Sequence, residues 1–333
     1  MESSLQQEFE AFRRIIESSK QFVLTTHINP DGDGLGCEVA LARFLNERGK
    51  TVAIINHSAT PYYYRFLDPR NEIQQFNPAQ HAAALQQADC IVVLDTNSPD
   101  RLANMKPFVL ESKATKVCID HHLDKVEFAD LYILDEPSAA TGEIVYRLLQ
   151  FLGVREFSPE MATALYTAIM TDTGSFRFPK TDPAIHRQVA HLIECGADPV
   201  SIYQNVYEQG SAGRLQLLGK VLSTLRTEAN GKIACLVATK EMFRETGTSE
   251  VDTDNMINYT LTIQGVQIGL MLTEIDGAVK IGFRSKGDIG IHKLAQEFGG
   301  NGHKNAAGAR VPNGSLPDLL DKVLERAKKK YTV

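Results

Sequence analysis

HINPDGDGLG, residues 27–36, decides how this chain is read, because it gathers metal-ligating side chains where a buried strand stops. Upstream, FVLTT at 22–26 is a short apolar and β-branched run of the kind that forms a strand of a parallel sheet. Downstream, LGCEVALARFLNERGK places Leu35, Val39, Ala42 and Leu45 at helical spacing. The decapeptide is therefore a βα loop. In open α/β sheets ligands sit beyond the carboxyl ends of the strands. One imidazole and two carboxylates there offer donors suited to Mn²⁺ or Mg²⁺. Gly32, Gly34 and Gly36 are expected to turn the backbone tightly and leave room for a phosphate near a helix N-terminus. Asn, Pro, Asp and Gly are also ordinary turn residues, so this stretch alone leaves a plain turn open.

The rest of the chain repeats the theme. TVAIIN at 51–56 is a second strand, and ADCIVVLDT at 88–96 is an apolar strand ending in Asp95. KVCIDHH at 116–122 is another, ending in Asp120, His121 and His122, and FADLYILDE at 128–136 looks like one more. Two helical runs follow, and Asp172 closes the second just before the stop signal of Gly174. Strands alternating with helices, with ligands at strand ends, argue an α/β fold with a doubly wound, mostly parallel sheet. A helix is expected at 182–195 and a long connecting helix at 201–228, with Leu215, Leu218, Leu222 and Leu225 on one side. Beyond it, KIACLVAT, VQIGLMLTEID and AVKIGFRSK read as strands, with Asp276-Gly277 as a hairpin turn. DIGIHKLAQEFGG and SLPDLLDKVLERAKKKY read as helices, making a second, smaller α/β unit. The expected boundaries are 1–195, a helical linker at 196–229, and 230–333.

Composition narrows the function. The chain has 333 residues and a net charge of −6, so no global basic surface invites long nucleic acid. The five cysteines are scattered without CxxC spacing, which fits reduced thiols rather than a disulfide frame or zinc site. No run approaches a membrane span, and the polar N-terminus has no apolar leader core. A cytoplasmic protein with no membrane partner is the expectation; a homodimer is left open.

Taken in order, HINPDGDGLG, VVLDT, IDHH, IMTDTG and the glycine-rich FGGNGHKNAAGA resemble the five signatures of the DHH phosphoesterases and their associated C-terminal domain. Length and domain pairing resemble the oligoribonuclease and pAp-phosphatase branch. The resemblance implies two divalent cations, Mn²⁺ favoured and Mg²⁺ allowed. His27, Asp31 and Asp95 would hold one, and Asp33, Asp95, His121 and Asp172 the other, with Asp95 as the bridge. A carboxylate spans cations about 3.5 to 4 Å apart, and water between them is deprotonated near neutral pH to give the nucleophile. His122 would face the substrate and donate to a phosphate oxygen, while Asp120 would orient an imidazole. In the second domain Arg284, Ser285, Gly300, Gly302 and His303 would bind the substrate's terminal phosphate. Arg101, Ser138 and Thr141 are further candidates for phosphate contact, with helix capping an equal reading for the last two.

The implied substrates are short RNA oligonucleotides or a nucleotide bisphosphate, hydrolysed in line without a covalent intermediate. A cyclic-dinucleotide phosphodiesterase and an exopolyphosphatase are alternatives within the same chemistry. A nucleotide-binding sensor with a vestigial site is the alternative outside it. That last reading calls for a missing ligand, and every position is filled.

Overall fold

The computed structural model describes residues 2–123, 125–302 and 304–331. The chain divides into two compact units, Met1–Gln209 and Gly210–Val333. In the first unit the elements run α1 (Glu2–Ser18), β1 (Gln21–Thr25), α2 (Gly32–Glu47), β2 (Thr51–Asn56), β3 (Ile73–Gln75), α3 (Pro78–Gln87), β4 (Cys90–Leu94), α4 (Lys106–Glu111), β5 (Thr115–Asp120) and β6 (Leu131–Leu134). Four helices follow: α5 (Thr141–Phe151), α6 (Pro159–Asp172), α7 (Pro183–Glu194) and α8 (Pro199–Tyr207). The six strands form one sheet in the order β3-β2-β1-β4-β5-β6, parallel throughout. Parallel strands covered on both faces are apolar along their whole length, and β4, CIVVL, is buried at every position. Separate apolar cores form on the two faces, around Leu24, Val92 and Ile119 on one and Val23, Ile91 and Val93 on the other. The strand order reverses between β1 and β4, which is where doubly wound sheets bind ligands.

Local chemistry sets the helix starts. Asp31 caps α2 by accepting from the N–H groups of Asp33 and Gly34, and Asp182 caps α7 in the same way. The glycines of the decapeptide serve packing rather than the phosphate room expected of them. A Cβ on Gly34 would lie 2.3 Å from Thr26 Oγ1, and one on Gly36 would lie 2.3 Å from the Ala164 carbonyl of α6. They let α2 press against β1 and α6.

The second unit contains α9 (Ala212–Leu222), β7 (Arg226–Glu228), β8 (Ile233–Ala238), α10 (Lys240–Thr246), β9 (Ile268–Ile275), β10 (Ala278–Ser285), α11 (His292–Gln296), β11 (Asn301–Gly302), β12 (Ala306–Pro312) and α12 (Leu316–Tyr331). Its sheet, β11-β12-β10-β9-β8-β7, is antiparallel except for β8 with β9. Alternate residues of β10 are buried, as a half-covered strand requires.

Two expectations are corrected. The single helix over 201–228 is two helices, α8 and α9, interrupted at 208–211, because Ser211 caps a new start through the Arg214 N–H and residues 226–228 pair as a strand. The helix expected over DIGIHKLAQEFGG is confined to five residues, since the chain turns at Gly299, φ +73°, to enter β11.

Gly36→Ala should destabilise the protein by about 1–3 kcal/mol through overpacking against α6. Gly219→Ala, in α9 with nothing near the new methyl, should stabilise it by about 0.5–1 kcal/mol. Urea unfolding of the two variants checks this; equal effects would mean the α2–α6 contact has slack.

Candidate metal centre

Three strands deliver the site from their carboxyl ends. His27 lies just past β1, Asp95 immediately follows β4, and Asp120 ends β5 with His121 and His122 after it. Asp33 comes from the first turn of α2 and Asp172 from the last residue of α6. Asp95 adopts φ +60°, a left-handed conformation that Asp tolerates better than most side chains and that recurs at functional sites.

Asp95 turns Oδ2 to His27 and Oδ1 to both His121 and His122, the latter's Nδ1 being 3.7 Å away. Oδ2 lies 3.3 Å from His27 Nε2, which is also 3.6 Å from Asp31 Oδ2. Oδ1 lies 3.7 Å from His121 Nε2, which in turn is 3.3 Å from Asp172 Oδ2 and 3.9 Å from Asp33 Oδ2. Both imidazoles are aimed by main-chain carbonyls, His27 Nδ1 at 2.8 Å from the Ile28 oxygen and His121 Nδ1 at 3.2 Å from that of Ser138. With Nδ1–H donating, each Nε2 presents its lone pair to the carboxylates, the tautomer a metal ligand needs. Ligand atoms of His27, Asp31 and Asp95, and separately of Asp33, His121 and Asp172, lie within 4.8 Å of one another. Donors of this hard oxygen and imidazole type suit divalent cations.

The charges show the same strain. Burial raises Asp33 well above the ordinary carboxylate range, with Asp95, Asp172 and Asp31 adding to the effect. Burial likewise lifts Asp172 to about 6, His121 opposing it and Asp95 adding to it. Burial works against an ionised Asp95 too, but His27, His122 and His121 outweigh it and hold its carboxyl below the usual range. At His27, burial and the Arg101 guanidinium disfavour a proton, yet Asp31 and Asp95 hold the pKa up to about 10. Negative charge this dense demands positive charge, as protons or as cations.

His122 stands apart from that lone-pair arrangement. Its Nδ1 lies 2.6 Å from Asp120 Oδ1, and the same oxygen accepts the His121 N–H at 2.8 Å. Burial opposes the His122 proton, but the Asp120 carboxylate prevails and raises the pKa. Asp120 thus orients an imidazole, that of His122.

Sequence reasoning only partly found the support from α5. The Thr141 and Gly142 N–H groups donate to the two oxygens of Asp33 at 2.7 and 2.8 Å, so a helix N-terminus holds this carboxylate. The Thr141 hydroxyl donates to Asp95 Oδ1 at 2.9 Å. Its role is therefore to hold carboxylates. Ser138 is clamped by Asp135 and Arg147, which sets the carbonyl that aims His121. Strand-to-helix position in SAATGE was the available signal, but the acceptors Asp33 and Asp95 lie 108 and 46 residues upstream.

In the second unit, Arg284 is half-buried on β10, opposite Gly269 of β9 and Ala306 of β12, and donates to the Phe283 carbonyl at 3.0 Å. Burial lowers its pKa from the usual arginine value, with Asp254 opposing. Ser285 is buried and its hydroxyl is engaged within the unit, donating to the Ile289 carbonyl and accepting from Asn305 Nδ2. Gly300 and Gly302 lie where β11 approaches β12, and a Cβ on either would strike backbone there. His303 lies outside the described residues.

Comparison with known proteins adds the following. A profile of the DHH family, N-terminal domain, matches residues 21–169, and one of the DHHA1 domain matches 230–330. The bifunctional oligoribonuclease and PAP phosphatase NrnA of Thermus thermophilus is 30% identical over 311 residues, 93% of this chain and 90% of that protein. The crystal structure of an exopolyphosphatase-related protein from Bacteroides fragilis superposes with a TM-score of 0.92 at 32% identity, covering 98% of this chain and 96% of that one. RecJ from Thermus thermophilus in complex with Mn²⁺ shares the fold, with a TM-score of 0.55 at 14% identity over 98% of this chain and 55% of RecJ.

Thr141→Val removes one hydroxyl from a fully buried position and leaves the N–H on Asp33 intact. It should weaken divalent-cation affinity about tenfold, the usual scale for losing a group that orients a ligand. Thr141→Ser should restore it. Titration calorimetry with Mn²⁺ decides, and unchanged affinity in the valine variant would remove the hydroxyl from the support of the site.

Proposed function

Because the chain belongs to the DHH family of phosphoesterases and carries the associated DHHA1 domain, we propose that it hydrolyses short oligoribonucleotides to mononucleotides and removes the 3′-phosphate of pAp, using two divalent cations with Mn²⁺ preferred. That it is a hydrolase of phosphoester bonds comes with the family. The finer reading rests on one observation, the division of the Asp95 oxygens between His27 with Asp31 and His121 with Asp172. The two activities for which the Thermus relative is named and the Mn²⁺ held by RecJ support it.

In this reading His27, Asp31 and Asp95 hold one cation and Asp33, Asp95, His121 and Asp172 the other. When bound, such a pair supplies water activation near neutral pH and charge compensation on the phosphoryl group. The protein's own residues do the rest. Asp33 is fixed at both oxygens by the start of α5, and Asp95 by Thr141. Little reorganisation is left for the moment of reaction. His122, whose proton the neighbouring Asp120 carboxylate favours, donates from Nε2 to a phosphate oxygen as charge accumulates there. Arg284 takes a terminal phosphate, favouring substrates that carry one.

The test is a panel of pApA, pAp, cyclic dinucleotides, long single strands and polyphosphate, each with Mn²⁺ and with Mg²⁺. Turnover concentrated on pApA and pAp, greatest with Mn²⁺ and abolished by chelation, is expected. Preference for a cyclic dinucleotide or for polyphosphate would replace the substrate assignment, and failure to hydrolyse any of them would favour a binding protein.

Two substitutions probe the roles. His122→Ala should keep both cations and lower kcat by about 10²-fold, the scale for deleting one donor to a developing charge. Metal content falling in step with rate would make His122 a ligand instead. Arg284→Ala should lower kcat/KM for pApA and pAp by about 2 kcal/mol, while a small artificial diester lacking a terminal phosphate is hydrolysed as before. Lysine should rescue only in part, because an ammonium lacks the bidentate fork. Equal losses on both substrate types would take terminal-phosphate recognition away from Arg284.

A further inference from the structure

Behind the candidate metal centre lies a buried acid that the reaction does not use. Glu38, on α2, has no solvent exposure. Its Oε2 accepts from Asn56 Nδ2 at 2.8 Å, and its Oε1 has no hydrogen-bond partner among the described residues. Burial pushes the carboxyl up to about 8 against the pull of Asn56 and His27. An apolar side chain would fill this helix position without that cost, so the acid's contribution lies in what it holds.

Asn56, also fully buried, is the last residue of β2. Its Oδ1 accepts the Thr26 N–H at 3.0 Å and lies 3.4 Å from Thr25 Oγ1. A main-chain donor on one side and the Glu38 Oε2 acceptor on the other require the same amide orientation, so the assignment of oxygen and nitrogen is mutually consistent. The Thr26 hydroxyl in turn donates to the Leu94 carbonyl at 2.9 Å. A continuous line of hydrogen bonds therefore joins α2 to the ends of β2, β1 and β4. The next residues along β1 and β4 are His27 and Asp95, whose side chains stand 3.3 Å apart.

We propose that Glu38 is a positioning residue for the cation held by His27, Asp31 and Asp95: it fixes the Asn56 amide, which fixes Thr26 and so the placement of His27 beside Asp95. The inference rests on the two-cation reading above. Without an acceptor at position 38, the Asn56 NH₂ is left unsatisfied in the interior and the amide keeps only its contacts to Thr25 and Thr26, so the side chain that holds the Thr26 N–H is no longer fixed from α2. The second cation position shares Asp95 but adds Asp33, His121 and Asp172, none of them on this line, and α5 holds both Asp33 and the Asp95 Oδ1 that faces it.

The variants are Glu38→Gln, which keeps an acceptor for Asn56, and Glu38→Met, which does not. Asn56→Ser, too short to reach both neighbours, gives an independent break should the methionine variant fold poorly; thermal unfolding of each metal-free variant reports folding. Mn²⁺ binding is followed by calorimetry and by electron paramagnetic resonance, which separates an exchange-coupled pair from an isolated ion. Wild type and Glu38→Gln should bind two ions and show the coupled pair. Glu38→Met and Asn56→Ser should bind one ion normally and the other at least about tenfold more weakly, with an isolated-ion spectrum at intermediate Mn²⁺. A double variant should lose no more than either single one.

The inference is overturned if folded Glu38→Met or Asn56→Ser retains the coupled pair at wild-type affinity, if both ions weaken together, or if Glu38→Gln loses as much as Glu38→Met. A wild-type protein that binds fewer than two ions overturns the two-cation reading itself, a separate result visible before any variant is made.

Discussion

Carboxylates confined out of water within reach of one another repel, and a fold can assemble them only by supplying opposite charge and hydrogen bonds in the same small volume. That constraint governs the first unit. Asp33, Asp95 and Asp120 are almost fully buried, and each is met by a dedicated donor: the start of α5 for Asp33, the histidines and Thr141 for Asp95, and the His121 N–H with the His122 ring for Asp120. The parallel sheet makes this feasible, because strands ending side by side bring distant sequence positions together while their apolar bodies carry the burial. Asp172 is less well provided for. It sits at the C-terminal end of α6, where the helix dipole repels an anion, and its raised pKa fits that position.

Function follows from how that compensation is divided. Neutralising every carboxylate by arginine would have made a rigid structural network with nothing to exchange. Here imidazoles aimed by backbone carbonyls leave their Nε2 atoms toward the acids, so the centre is complete in charge only when it takes up something positive from solution. His122 is the exception, its Nδ1 held by an acid of its own, Asp120.

Much of the first unit was legible because its signals are local. Buried parallel strands are apolar runs, so Asp95 after CIVVL and Asp120 ending TKVCID could be placed at strand ends from the letters alone. The helix expected from 182 does start there, whereas α2 begins at Gly32, ahead of the helical spacing from Leu35, because Asp31 caps it. Partners supplied by distant chain were not legible: Thr141 on Asp95 and Asn56 on Glu38 look like a helix cap and a strand end until the fold closes. The glycines misled because a missing Cβ can serve a ligand or a neighbouring helix equally well. Leucines 215, 218, 222 and 225 suggested a helix continuing through 208–211, but Leu215 and Leu225 are exposed and the break is set by the Ser211 cap. AAGARVP escaped notice as a strand, being made of small residues that earn their place only by letting β11 and β10 come close.

The left-handed backbone of Asp95 has a consequence for how this site can change by mutation. At φ +60° the residues that sit with least strain are Gly, Asn and Asp. Glycine brings no ligand, and asparagine brings one anionic oxygen too few to serve two partners alike. Glutamate keeps the charge but loses the backbone, and its longer arm would displace both histidines. Every neighbour of Asp95 in sequence space therefore fails on main chain or side chain, so the position is an isolated point with no neutral path leading away from it.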